Sequence, residues 1–160
     1  PFTIENQIEK GRSKMLLISD GNFNENQVDK GRPLTLGFDK WSSNFYDNKA
    51  FITIKGEPNQ TGDTRFEWDK EITQKESIQL FNLSLGQIIQ KTRYVVPHKS
   101  HLFEVDVFSG KLQGLVVAEV ELSSADEKLD LPKWIGDEVT GDQRYYNSDL
   151  AKKGLKPEIV

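Results

Sequence analysis

The chain has 160 residues, a formal net charge of −4 and no cysteine. This length suits one domain with a sizeable core, so we expect a single domain over residues 1–160. The acidic balance argues against wholesale nucleic-acid binding, and the lack of cysteine excludes disulfide bonds and thiol chemistry. No apolar run approaches the length of a membrane span and no secretion signal is recognisable, so we expect a soluble, cytoplasmic protein without a membrane partner.

Strands in the first third of the chain are predicted from the alternation of polar and apolar residues. Phe2 to Ile8 alternates as a half-buried strand does. Residues 11–37 contain few apolar clusters and several breakers, so we expect mostly loop there. Trp41 to Tyr46 and Lys49 to Lys55 flank the turn-forming pair Asp47-Asn48 and therefore predict a hairpin.

The middle of the chain predicts a strand, a capped helix and another strand. Thr64 to Lys70 alternates sharply, and Ile88 to Val96 forms a further strand-like run before Pro97. Thr73 and Glu76 have the spacing of a capping box, in which each side chain bonds to a free amide at a helix start. A last short helix is expected over residues 147–153. The helix after Thr73 is expected to bury four apolar residues: Ile78, Leu80, Phe81 and Leu83.

Acidic residues of the second half fall on two neighbouring predicted strands separated by a turn at Ser109-Gly110. Read with a period of two, Glu104 and Asp106 share one face of the first strand. Glu119 and Glu121 share one face of the second, whose opposite face is apolar. We expect the apolar face to meet a core and the acidic face to meet water, cations or a metal.

Charged residues two positions apart recur on other predicted strands. Lys91 and Arg93 form a purely basic pair, whereas Arg65, Glu67 and Asp69 mix both signs. On an ordinary half-exposed sheet these residues would be no more than the solvated side. Inside a barrel, a surface carrying both signs could hold a polyanion on its cations and a divalent ion on its carboxylates.

Several longer segments occur in a fixed order and spacing: Lys49 to Gly56, Lys91 to Pro97, Phe103 to Gly110, Gly114 to Leu122 and Glu138 to Asn147. Together they resemble the CYTH family, the triphosphate tunnel metalloenzymes. The resemblance implies an α+β, mainly β fold, namely a closed antiparallel eight-stranded β-barrel tunnel with flanking helices. It also implies activity on triphosphates: hydrolysis of tripolyphosphate or thiamine triphosphate, or ATP cyclisation of the adenylate cyclase kind.

The resemblance also assigns cationic roles at matching positions. Lys91 would be catalytic as well as cationic, helping to activate an attacking water if the neighbouring Arg93 disfavoured its charged form. Arginine would bind phosphate oxygens through its fork and lysine as a point charge. The phosphate-binding set implied in this way is Lys55, Arg65, Lys91, Arg93 and Arg144.

Acidic roles follow from the same matches. Glu5, Glu119 and Glu121 would hold Mg²⁺ or Mn²⁺, whose hard charge prefers oxygen ligands. Glu67 and Asp106 would support the cations or bind metal. The implied cofactor is therefore Mg²⁺ or Mn²⁺.

The first third departs from the family pattern, which has Glu-x-Glu-x-Lys in the first strand and Arg-x-Arg before the Lys-Ala-Phe strand. The best alignment puts Thr3 to Gln7 and Ser42 to Asn44 at these positions, so one carboxylate and three cations are missing. In an alternative alignment Glu9 with Lys10 or Arg12 takes the first position. Since a charged hydrogen bond contributes roughly 1.5–3 kcal/mol, we expect reduced or altered activity.

Two other functions stay open, a non-catalytic barrel that binds an anion or a nucleotide and a ligand-free scaffold. His98 and His101 have metal-like spacing but follow Pro97 in a predicted turn and lack a third nearby ligand, so they are a weak transition-metal candidate. The expected partner is a small-molecule triphosphate or another anion, with no nucleic acid. The expected state is a monomer or homodimer.

Overall fold

The structure is a computed structural model that describes residues 8–9, 12–18, 23, 32–36, 41–46, 49–56, 66–83, 87–124 and 126–153. These residues form strands, two α-helices and two short 3₁₀ turns at Gly110–Leu112 and Gln143–Tyr145. The elements in chain order are β1 (Ile8–Glu9), β2 (Arg12–Leu17), β3 (Arg32–Leu36), β4 (Trp41–Tyr46), β5 (Lys49–Lys55), β6 (Phe66–Ile72), α1 (Gln74–Leu83), β7 (Ile89–His98), β8 (His101–Phe108), β9 (Val116–Leu122) and α2 (Asn147–Lys153).

The strands form two antiparallel sheets. A four-stranded sheet has the order β1-β6-β5-β4, and a five-stranded sheet has the order β2-β9-β8-β7-β3. The expectation of a closed eight-stranded barrel is therefore wrong: within the described residues no strand ladder joins the two sheets, and β3 lies beside β4 without pairing with it. The physical reason is that alternation along a strand reports which face is buried but not whether two sheet edges hydrogen-bond.

Local signals located the strands of the second half better than those of the first. The predicted hairpin is confirmed, because β4 and β5 pair from Tyr46 and Lys49 outward. The described part of residues 11–37 is mostly strand and not the expected loop, since it contains β2 and β3, which pair with β9 and β7. The predicted strand from Phe2 falls outside the described residues except for its last residue, Ile8. These early strands depend on distant partners that local periodicity does not reveal.

Strand β7 runs through Pro97 to His98 and does not stop before the proline. A proline has no backbone N–H to donate to a sheet, so it is tolerated where a strand has no neighbour on that side. In the described part of the sheet, β3 pairs with β7 only as far as Arg93, which leaves Pro97 without a partner on that edge. Lys99, with φ +52°, then turns the chain into β8.

Helix α1 begins at the predicted capping box. The Thr73 N–H donates to Glu76 Oε2 at 2.7 Å, and the Glu76 N–H donates to Thr73 Oγ1 at 3.2 Å. The bond from the Thr73 N–H also lowers the pKa of Glu76. The predicted buried side is only partly right: Ser77 is fully buried and Leu80 and Phe81 are half-buried, whereas two other predicted residues, Ile78 and Leu83, are exposed.

One apolar cluster covers one face of the five-stranded sheet. It includes Leu16, Phe103, Ala118 and Val120, all at most 1% exposed, and Trp134 packs edge-on against Phe103 with ring centroids 5.6 Å apart. These residues alternate with the charged residues of β8 and β9. The charged residues must therefore face the other way.

A second apolar cluster closes one end of the charged face. Ile89, Phe108 and Val117 contribute from the sheet, and Leu150 and Ala151 contribute from α2, whose predicted bounds are confirmed. Each of these three sheet residues lies two positions along its strand from a charged residue, so the apolar and the charged residues share a face. In the described part of the chain, no helix combines the length and apolar character needed to cross a membrane.

Candidate functional site

The charged residues of β7, β8 and β9 form one connected group. Antiparallel pairing places Arg93 opposite Asp106, and Glu104 opposite Glu119. Lys91 lies two residues before Arg93 and shares its face. We call these five residues the ionic cluster: Lys91, Arg93, Glu104, Asp106 and Glu119.

Asp106 is the centre of the ionic cluster. Arg93 donates from Nε to Asp106 Oδ1 and from Nη2 to Oδ2, each at 2.7 Å. The Lys91 ammonium donates to the same Oδ2. A two-pronged bond between arginine and a carboxylate fixes the plane of the guanidinium as well as its charge. Asp106 therefore orients both cations.

Lys91 and Asp106 of the ionic cluster are buried, so neighbouring groups must stabilise their charges. Lys91 is 4% exposed and Asp106 3% exposed, so neither charge is solvated by bulk water. Burial alone would raise the pKa of Asp106, but the charges of Lys91 and Arg93 and their hydrogen bonds hold that pKa below its ordinary value. Burial likewise opposes the charge of Arg93, yet Asp106, followed by Glu119 and Glu104, raises the pKa of Arg93. Asp106 and Arg93 are therefore ionised near neutral pH.

Two further carboxylates approach Arg93 from the solvent side. Glu104 Oε2 accepts a hydrogen bond from Arg93 Nη1, and Glu119 Oε2 lies 3.5 Å from Nη2. Their side chains are 40% and 33% exposed, in contrast to the buried Asp106. With three carboxylates and two cations, the ionic cluster has a net charge of −1.

The closed end of the charged face is apolar. Lys91 Nζ lies 5.4 Å from the ring centroid of Phe108, a geometry that lets the ring face attract the ammonium. Phe108 belongs to the cluster that α2 completes. A ligand that reached the ionic cluster would thus have apolar packing beyond Lys91 and partly exposed carboxylates on the other side.

The structure brings together four of the residues predicted to form a site: Lys91, Arg93, Asp106 and Glu119. The sequence pattern had singled out Glu104 as acidic but gave it no role. Its position two residues before Asp106 was the available signal, because that spacing puts both carboxylates on one face.

Other predicted residues lie outside the ionic cluster or outside the described residues. Arg144 is exposed and donates to Asp142 from Nε at 3.0 Å and from Nη2 at 2.6 Å, and this ion pair raises the pKa of Arg144. Glu121 is exposed on β9, opposite Ser13. Lys55 on β5 lies opposite Glu67 on β6 in the strand register. Glu5 and Arg65 lie outside the described residues.

The weak histidine candidate does not assemble a metal centre in the described part of the chain. His101 is buried, and its ring nitrogens contact Ser100 Oγ at 3.2 Å and Glu127 Oε1 at 2.9 Å. Glu127 also accepts bonds from the Ser123 side chain and backbone, which with His101 lower the pKa of Glu127 to about 2. The pair anchors the loop after β9 to the β7–β8 turn.

Divalent metal binding needs a separate test against the geometry. Among the described residues, no three Asp, Glu, His or Cys side chains converge to hold an ion by themselves. Mg²⁺, however, is usually held by one or two carboxylates together with substrate phosphates and water. Glu104 and Glu119 face each other in register with partly exposed carboxylates. They fit an ion that shares its coordination with a phosphate.

Sequence comparison identifies two curated relatives, while no family model matches the chain. An inorganic triphosphatase from Acetivibrio thermocellus is 39% identical over 112 residues, which span 69% of this chain and 70% of that protein. An inorganic triphosphatase from Nitrosomonas europaea is 39% identical over 105 residues, spanning 63% of this chain and 67% of that protein.

Solved structures with a similar fold agree with these relatives. The crystal structure of an inorganic triphosphatase matches with a TM-score of 0.64 at 29% identity, covering 88% of this chain and 96% of that one. A conserved hypothetical protein from Pyrococcus furiosus matches with a TM-score of 0.54 at 17% identity, covering 71% of this chain and 80% of that one. The second match indicates a common fold only.

Proposed function

Because the chain belongs to the CYTH-like family of inorganic triphosphatases, we propose that it is a phosphohydrolase that acts on a triphosphate with the help of Mg²⁺ or Mn²⁺. The observation that carries the proposal is the pair of cations, Lys91 and Arg93, held side by side by the buried Asp106. Two fixed cations on one sheet face suit the closely spaced negative charges of a polyphosphate.

Arg93 is suited to bind phosphate because only part of its guanidinium is used by Asp106. A guanidinium has five N–H donors, and Asp106 takes two of them. The remaining donors, on Nη1 and Nη2, face the partly exposed carboxylates of Glu104 and Glu119. A phosphate entering from that side would meet a guanidinium already held in the correct plane, so little entropy would be lost in ordering it.

Lys91 has two predicted roles, phosphate binding and activation of water. Its Nζ donates a hydrogen bond to Asp106, whose pKa is lowered by Lys91 and Arg93. This favours a role in stabilising negative charge that develops on the phosphate oxygens. Activation of water by Lys91 would first require loss of a proton, and the lowered pKa of Asp106 makes this adjacent carboxylate a poor acceptor for it.

A divalent cation would neutralise negative charge on the phosphates and increase the electrophilicity of phosphorus. Glu119 and Glu121 are the proposed ligands of this ion in the described residues, with Glu104 opposite Glu119. The ion would also reduce electrostatic repulsion, since the ionic cluster is itself net negative and a free triphosphate is strongly anionic. Binding should therefore be weaker without the metal.

We further propose that activity is lower than in relatives with the complete family pattern. Ser42 and Asn44 lie on β4 at positions where the pattern has arginines. Each missing charged hydrogen bond to a phosphate would cost roughly 1.5–3 kcal/mol, or about tenfold to a hundredfold in rate or affinity. The assignments of Lys55, Arg65, Arg144, Glu5 and Glu67 belong to the same proposal.

The decisive experiment is phosphate release from tripolyphosphate, measured with Mg²⁺, with Mn²⁺ and with excess EDTA. We expect release with either metal and only background with EDTA. Background release at saturating metal and substrate would refute the hydrolase proposal. Saturable binding without release would instead indicate the non-catalytic anion-binding function.

A matched pair of variants tests the ionic cluster. Lys91→Gln removes a buried cation bonded to Asp106, whereas Lys99→Gln removes an exposed cation that pairs with Asp130 at 2.8 Å. We expect at least a tenfold loss of kcat/KM for the first and no change for the second. Arg93→Lys keeps the charge, so it should fold, but it loses the fork and should also lose at least tenfold. Equal rates in all three variants would place the active site elsewhere.

A further inference from the structure

The carboxylates around Arg93 differ in how easily they can leave it. Asp106 is buried, and moving it would leave the buried Lys91 without a counter-charge and would remove the two-pronged bond to the half-buried Arg93. Among the hydrogen bonds of the described residues, Glu104 accepts one from Nη1 of Arg93, and its side chain is 40% exposed. Glu104 can therefore rotate into water at little cost, whereas Asp106 cannot.

We propose that Glu104 is a positioning residue that occupies Arg93 in the ligand-free protein and must be displaced by a triphosphate. The inference rests on the proposed function and adds to it a role for one residue. Its carboxylate bonds to one of the donors that Asp106 leaves over on the guanidinium. Carboxylate and phosphate oxygens have the same preference for such donors, so only one of them can use this position at a time.

The negative charge of Glu104 should weaken triphosphate binding when no metal is present. Glu104 brings the ionic cluster from neutral to a net charge of −1, and it lies beside the position that a phosphate would take. A like charge in contact at a partly exposed site weakens anion binding by roughly tenfold. Without metal, removing the Glu104 charge should therefore strengthen triphosphate binding.

A divalent cation reverses the effect. Glu104 lies opposite Glu119, so once displaced from Arg93 it would be available as an oxygen ligand. The metal would hold Glu104 away from Arg93 and the triphosphate would hold the metal, so each ligand should increase the affinity for the other. Glu104 thereby makes triphosphate binding depend on metal.

The test is the affinity of Glu104→Gln for tripolyphosphate, measured by isothermal titration calorimetry in EDTA and in Mg²⁺. Gln is isosteric with Glu and keeps an oxygen that accepts the bond from Arg93, but it has no charge. We expect about tenfold tighter binding than wild type in EDTA and a smaller gain in affinity on adding Mg²⁺. A purely structural role predicts weaker binding in both buffers, which would overturn the inference.

Two further variants serve as controls. Glu138→Gln makes the same charge change at an exposed glutamate that pairs with Lys14 at 2.8 Å, and its affinities should equal those of wild type. Glu104→Asp keeps the charge, so its metal-free affinity should stay within about threefold of wild type. If Glu104→Gln does not fold, metal-free binding by Glu104→Asp that is tenfold tighter would still overturn the inference, because its charge is intact.

Failure of the inference and failure of the proposed function give different results. If wild type releases phosphate with Mg²⁺ but Glu104→Gln binds no more tightly in EDTA, the function stands and the role of Glu104 is wrong. If wild type neither binds nor hydrolyses tripolyphosphate with metal present, the proposed function is wrong and the role of Glu104 falls with it.

Discussion

Asp106→Asn should destabilise the protein more than any exposed charge removal. The two side chains have nearly the same shape, but the variant leaves Lys91 and Arg93 without their shared counter-charge and turns an amide N–H toward their donors. Removing one partner of a buried ion pair costs about 3–5 kcal/mol. For a chain of this size, each 1 kcal/mol lowers Tm by about 2–4 °C, so we expect a decrease of roughly 6–20 °C.

Thermal unfolding followed by circular dichroism, with urea unfolding alongside, measures the effect. Asp149→Asn is the matched control, since Asp149 pairs with Lys153 at 2.8 Å on the exposed side of α2 and should contribute at most about 1 kcal/mol. Equal shifts in Tm for the two variants would refute the reasoning that Asp106 supports the buried Lys91 and the half-buried Arg93.

The loss of stability in Asp106→Asn should also depend on pH. The pKa of Asp106 is lower in the folded protein than in the unfolded chain, so its stabilisation is complete above the ordinary aspartate pKa near 4. It is lost as pH falls through the lower folded-state pKa. The free-energy difference between wild type and Asp106→Asn should therefore be constant around neutral pH and shrink only in acid. A difference that disappears between pH 7 and 5 would contradict this assignment.

Two further predictions concern features far from the ionic cluster. Thr73→Ala removes the side-chain cap of α1 and should cost about 1 kcal/mol, or roughly 2–4 °C in Tm, while Thr73→Ser should be nearly neutral; an unchanged Tm for the alanine variant would contradict the capping box. The Glu127 carboxyl should titrate at about 2 by NMR, so the stability it provides is lost only as pH falls through that value. Ser123→Ala should raise this pKa, and a wild-type value near 4 would exclude the Ser123 and His101 bonds.

Much of the charged face could be predicted because side chains alternate between the two faces of any β-strand. Lys91 and Arg93, like Glu104 and Asp106, are two residues apart, and any extended chain places such pairs on one side. The apolar residues between them then have to face a core, as Phe103 and Val105 do. This much requires no knowledge of which strands are neighbours.

The wrong predictions concern interactions between distant parts of the chain. The residues of β2 were expected to form a loop because their sequence shows little strand-like alternation. They form a strand because they pair with β9 along the full length of β2. Closure into a barrel was expected and is absent from the described ladders, because closure depends on sheet edges meeting. Ile78 and Leu83 were expected to be buried, but which side of α1 is covered depends on how it lies on β5.

Residue order alone was enough to separate charged from apolar faces, since this depends on side-chain type and a spacing of two. Triphosphate chemistry was indicated by the resemblance of several segments to the CYTH family. Tertiary structure decided that Asp106 is buried between Lys91 and Arg93 while Glu104 stays half in water. Both acids look alike in the sequence. Their difference comes from strand register and from the apolar cluster that excludes water at one end of the face, because solvation decides whether a charge can leave its partner.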